Sequence, residues 1–174
     1  MSEEAVFLAL HAFDGKSLEP LRRCLDEPGL DAGAIAALIE VCARDSEKHQ
    51  VGATWLLKAH LERGHRLTAA AVADFVAALA ALTAWEARLH ACQLVRHLEV
   101  AAVDLGPLTR FLDSALEGER PFLRAWACDA LVHLADRHER LREAAGRALQ
   151  AAERDPAASV RARARHLRKD YPAL

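Results

Sequence analysis

Aromatic residues are scarce in this chain of 174 residues, at 5%, with a single Tyr and a single Met. β-branched residues are also few, which weighs against a sheet, because strands draw on Val, Ile, Thr and aromatics. Cysteine is limited to positions 24, 42, 92 and 128, with no C-x-x-C and no zinc-ligand spacing. That pattern supports neither a zinc ribbon nor a secreted disulfide framework, so reduced, packed thiols are expected. A long apolar run is missing as well. The most apolar stretch, Leu67 to Trp85, is mostly Ala and carries Asp74 in its middle, which fits a helix buried between neighbours better than a membrane span. The start, Met1-Ser2-Glu3-Glu4, lacks the basic opening and cleavage site of a signal peptide, and a cytoplasmic protein is expected. No Walker glycine loop, no G-x-G-x-x-G and no G-x-S-x-G occurs. Nucleotide-binding and hydrolase chemistry therefore have no motif to stand on.

Ala and Leu fill the space these absences leave. Hydrophobic residues make up 52% and charged residues 28%, enough apolar content for a sizeable core in one domain. Ala and Leu are strong helix formers, so an all-α fold is predicted. Lys is nearly replaced by Arg, with only Lys16, Lys48, Lys58 and Lys169 present. Together with abundant Ala this points to a GC-rich bacterial genome.

The chain repeats. Ile35, Val72, Leu108 and Ala145 are separated by 37, 36 and 37 residues. Each is followed three and four positions later by an apolar pair: Leu38-Ile39, Phe75-Val76, Phe111-Leu112 and Ala148-Leu149. A second family begins at Gln50, Ala87, Leu123 and Val160 with the same three separations. Counting from those residues, positions 0, 4, 7, 8 and 11 form one stripe at 100° per residue, with small Thr54, Ala91, Ala127 and Ala164 at position 4. Each repeat reads as a helical hairpin with close-approaching helices.

Boundary signals agree. Asp104 and Asp155-Pro156 look like N-caps, Arg120-Pro121 places Pro in a first turn, and Thr68 and Thr83 precede helical patterns. First helices are predicted at about 31–44, 68–82, 105–117 and 139–153, and second helices at about 47–63, 85–99, 121–136 and 157–171. Residues 3–13 and 17–26, split by Asp14-Gly15, form a further hairpin off the period. It is expected to cap the first repeat within a single domain spanning 1–174.

Two segments, Leu123-Arg124-Ala125-Trp126-Ala127-Cys128-Asp129-Ala130-Leu131 and Asp155-Pro156-Ala157-Ala158-Ser159-Val160-Arg161-Ala162-Arg163-Ala164, resemble the second helix of the HEAT-repeat family and its armadillo-like relatives. The resemblance covers roughly residues 31–171 and implies a right-handed α-solenoid of about four hairpins, at about 31–63, 68–99, 105–136 and 139–171, behind the 1–30 cap. The family pairs an Asp before the second helix with an Arg six residues later. Asp155 and Arg161 fit that pattern, whereas Asp45 meets Val51. Tetratricopeptide and ankyrin signatures are missing.

Such arrays serve many tasks, so function has to come from surface chemistry. His60, His97 and His133 share position 10, each followed by Leu, and read as a packing or hydrogen-bonding ladder. Helices 8–10 Å apart in single file do not converge four ligands on one metal. Glu62 and Glu99 lie near enough in the pattern for His–Glu contacts between repeats. Cys92 and Cys128 share position 5 with Trp55 and Arg165, and no activating base can be assigned to either thiol. His138-Glu139 is similar to one of the His-Glu pairs that hold iron in deoxyhypusine hydroxylase arrays, but those use several and one cannot build the site. No catalytic residue, metal or cofactor is expected.

Charge is unevenly spread: residues 1–119 carry a net −7 and residues 120–174 a net +5. The resemblance implies that second helices line a concave face. The side of each opposite its core stripe includes Leu56, Leu89, Gln93, Arg96, Asp129, Val132, His166 and Lys169. With Trp55 and Trp126 as anchors, these are the predicted partner-binding residues of a non-catalytic protein adaptor. The alternative is a nucleic-acid-binding array that grips phosphates with Arg161, Arg163, Arg165, Arg168 and Lys169.

Overall fold

The computed structural model describes residues 2–25, 29–101 and 103–174. Among them every regular element is helical: α1 Glu3–Ala12, α2 Glu19–Arg23, α3 Ala32–Arg44, α4 Glu47–Glu62, α5 Ala69–Ala78, α6 Trp85–Leu94, α7 Leu105–Leu116, α8 Pro121–Arg137, α9 Arg142–Glu153 and α10 Ala158–Asp170. Short 3-10 turns at Leu79–Ala81 and Val95–His97 extend α5 and α6, and one at Glu139–Leu141 leads into α9. The eight periodic helices thus fall within a few residues of their sequence-predicted positions. The off-period hairpin is present as α1 and α2, although Asp26, the last residue predicted for its second helix, lies outside the described residues. Among the described residues no helix is long and apolar enough to cross a membrane, and the Ala-rich stretch that raised the question is the ten-residue α5.

Caps explain where the helices begin. Asp31 and Thr68 accept from the backbone N–H three residues on, at 2.8 and 3.2 Å, and Asp104 and Asp155 accept from the N–H two residues on, at 2.9 and 2.8 Å. The first three satisfy donors that the first helical turn leaves open, whereas Asp155 holds the N–H of Ala157, the residue at the N-cap of α10, so Asp155 is not itself the cap that the sequence suggested. Asp14 folds the α1–α2 turn by accepting from Lys16 and Ser17 N–H, and Gly15 supplies the positive φ of 87° there.

Two compact units arise, Met1–Leu108 and Thr109–Leu174. In the first, α3 packs on α4 and α5, α4 packs on α6, and α1 packs on α2, α3 and α4. The seat of α1 is Gly52 on α4, where an added Cβ would stand 2.7 Å from Leu10 Cδ2 and 3.2 Å from Phe13 Cδ1. In the second unit α8 packs on α9 and α10, and α9 on α10. The position-4 residues Thr54, Ala91, Ala127 and Ala164 are fully buried. The rest of the stripe is interior too, apart from Lys58, Arg168 and Tyr171, whose polar ends stay partly wet.

Polar side chains at the start of the second helices tie the hairpin turns. Arg124 donates to the carbonyls of Gly118 and Glu119, both at 2.9 Å, and Arg161 donates to those of Asp155 and Pro156, at 2.7 and 2.8 Å. Both Arg residues occupy position 1 and reach the carbonyls six and five residues back. The repeat is therefore visible in its hydrogen bonds as well as in its apolar period. The Asp155 carboxylate does not follow the anticipated pairing with Arg161. It forms a bidentate pair with Arg124 of the preceding hairpin, at 2.8 and 2.9 Å, which holds it below the usual carboxylate range.

In the first unit the same work falls to a neutral residue. Gln50, 3% exposed, donates to Cys42 O and Ala81 O and accepts from the N–H groups of Thr83 and of Ala84, the residue just before α6. Thr83 thus precedes α6 as expected but does not cap it. Replacing Gln50 by Leu leaves those groups buried without partners. It is expected to lower the unfolding free energy by about 2–4 kcal/mol, read from urea denaturation, with the helical content of the folded state retained.

Candidate functional site

The residues predicted to line the partner face separate by burial. Leu56 and Val132 are fully buried and Asp129 is 2% exposed, which corrects their assignment to a docking surface. A helix in an array is covered on more than its core stripe. Asp129 is covered by α10, whose Arg163 pairs with it at 3.5 Å while its guanidinium lies 3.8 Å above the Trp126 ring. Trp126 is thereby engaged within its own unit. Trp55, Leu89 and Gln93 are half-buried, and Arg96, His166 and Lys169 are exposed.

The basic helix α10 is largely committed to its own fold. Arg161 holds the turn before α10, Arg163 pairs with Asp129, and Arg168 pairs with Glu153 at 3.0 Å. Arg165 and Lys169 are exposed.

The histidine ladder dissolves into separate contacts. Leu30 N–H donates to His60 Nδ1 at 3.3 Å, and His60 stacks on His65 with centroids 4.5 Å apart. His133 Nδ1 hydrogen-bonds with the Tyr171 hydroxyl at 3.1 Å. His97 is half-buried, with Glu62 close enough to favour its protonated form against the larger effect of burial. Glu99 pairs with Arg66 instead. Among the described residues no group of three or more His, Cys, Asp or Glu could hold a metal ion. All four cysteines are buried and none forms a disulfide. Burial pushes Cys42 and Cys128 up to about 12, which keeps them out of the thiolate form that nucleophilic chemistry needs.

A surface the sequence reading did not single out lies at α1. Phe7 and Leu8 are 46% and 66% exposed. They open onto a groove of about 730 Å³ that α1, which also contributes Leu10 and His11, shares with Val41, Asp45 and His49. Glu3 and Glu4 from the first turn of α1 also line it, and Asp45 accepts from His49 Nδ1 at 2.9 Å and from Ser46 N–H at 2.6 Å. The His49 bond is the main reason the Asp45 carboxyl is held low. Two other depressions, of about 450 and 370 Å³, lie at α3–α5, where half of the lining is Ala, and at α7–α10, where charged side chains such as Arg124 and Asp155 join Ala.

A signal for the groove was present in the sequence. Val6, Leu10 and Phe13 follow a helical stripe and are buried, so Phe7 and Leu8, turned 100° and 200° from Val6, have to leave that stripe. No protein-family model matches the chain, and neither a curated protein nor a solved structure matches it.

Buried imidazoles give the first unit an acid limit. Burial lowers His60 to about 4, helped by neighbouring His65, and lowers His90 to about 4, with Lys58 adding to the effect and Glu62 opposing it. The Thr54 hydroxyl donates to Gln50 O at 2.8 Å, so its oxygen accepts from His90 Nδ1 at 3.1 Å. Both rings bind protons more weakly folded than unfolded. Their contribution is therefore complete above the unfolded value near 6.5 and is lost as pH falls toward 4. Urea titrations are expected to show a loss on the order of 1–2 kcal/mol per ring between pH 7 and 5, a slope that His60→Gln flattens.

Proposed function

We propose that the chain is a non-catalytic adaptor of HEAT-like architecture, a right-handed α-solenoid whose hairpins present a docking surface for another protein. The groove at α1 carries this reading. Two large apolar side chains stand exposed beside a cavity rimmed by carboxylates, and an apolar patch with a polar rim is the common build of a protein-binding surface. What supports the architecture is the 37-36-37 period together with the Arg124 and Arg161 turn contacts that recur at one repeat position. Docking at this groove takes precedence over the concave-face set, because Leu56, Asp129 and Val132 are interior.

Phosphate binding by α10 is the weaker reading. Three of its five cations are already turned to carbonyls or carboxylates of the fold, and a phosphate site would have to displace those contacts.

Placing the photocrosslinker benzoylphenylalanine at position 8, with position 122 as an exposed control, tests the proposal in extract of the native cells. A discrete protein adduct from position 8 that survives nuclease is expected, and Phe7→Ser/Leu8→Ser should weaken capture of that protein at least tenfold. Adducts lost with nuclease, or formed from position 122 alone, would overturn the reading.

A further inference from the structure

The groove specifies its occupant by chemistry, and we propose that it takes a cationic amphipathic helix of another protein, with large apolar residues on Phe7 and Leu8 and Lys or Arg over the rim. This rests on the reading of the groove as a docking surface. Among the described residues its lining contains three carboxylates, Glu3, Glu4 and Asp45, and no Lys or Arg. Among the described residues of the lining, His11 and His49 are the groups able to carry positive charge, and His49 is held by Asp45. An acidic segment would meet repulsion, whereas a basic one finds complementary charge around an apolar centre. The shape suits a helix, because α1 offers ten residues, about 15 Å of axis, along which Phe7 and Leu8 stand at its middle. Helix-in-groove docking reads such a surface with apolar anchors spaced three and four apart.

A second copy of this chain is a poorer match. The exposed basic stripe of α10 offers Arg165, His166 and Lys169 with only Ala158 and half-buried Ala162 between them, so it has charge for the rim and no large side chain for Phe7 and Leu8.

Fluorescence anisotropy with the full chain tests the proposal, using three labelled 14-residue peptides that share one row of Leu and carry Lys, Gln or Glu elsewhere. The Lys peptide is expected to bind at least tenfold more tightly than the Gln peptide in 20 mM salt and to lose most of that advantage in 300 mM salt. Glu3→Gln/Glu4→Gln should erase the Lys preference and leave binding of the Gln peptide unchanged. Phe7→Ser/Leu8→Ser should abolish binding of both. All four residues are exposed, and unchanged circular dichroism and Tm would show that the variants fold.

Equal binding of all three peptides would overturn the cationic occupant while keeping the groove as a docking surface. No binding, or binding indifferent to Phe7→Ser/Leu8→Ser, would overturn both readings. Self-association in sedimentation equilibrium that Phe7→Ser/Leu8→Ser removes would replace the foreign helix by a second copy.

Discussion

Everything in this fold depends on closing the carbonyls that a helix leaves open where a hairpin turns. A short helix ends with up to four unsatisfied C=O groups, and here the chain does so repeatedly within a small protein. Side chains from the start of the second helix close such groups and the turn carbonyls just beyond them, through the Gln50 amide at Cys42 in the last turn of α3 and the guanidinium groups of Arg124 and Arg161 at the turns before α8 and α10. Because Gln50 and Arg124 also reach the following hairpin, at Ala81 and at Asp155, closing a turn and joining neighbours become one act. The apolar stripe can then be built from Ala and Leu with few aromatics, since direction and register come from these polar contacts.

Much of the fold was legible because it is periodic. Residues such as Leu61, Leu98 and Leu134 recur at one position, and a period of that length leaves room for two helices and two turns. Local caps at Thr68 and Asp104 were legible for a different reason: their hydrogen bonds run two or three residues along the chain. The role of Gln50 was not, because its partners at Ala81, Thr83 and Ala84 lie more than thirty residues away. The pairing of Asp155 with Arg124 instead of Arg161 is a contact of the same long-range kind.

The candidate site was less legible than the fold. A wheel drawn for one isolated helix has one buried face, which is why Asp129 and Leu56 looked available, yet the following hairpin puts Arg163 over Asp129. Basic residues of α10 looked like a patch in one dimension, but helical geometry sends Arg161, Arg163 and Arg168 toward three different acceptors. The groove escaped notice for the opposite reason. Phe7 and Leu8 belong to a helix outside the period, where an ordinary apolar triplet conceals two side chains with no place in the stripe.

The two units join their hairpins by different means. In Met1–Leu108 the less exposed part of the joint is neutral, made of the Gln50 amide and the Thr54–His90 pair, with the Arg66–Glu99 ion pair at the surface; in Thr109–Leu174 charge enters the interior of the joint through Arg124–Asp155 and Arg163–Asp129, beside the neutral His133–Tyr171 contact. Desolvating paired charges becomes less costly as temperature rises, whereas neutral hydrogen bonds receive no such relief. Heating therefore shifts the balance between the two joints toward the charged one.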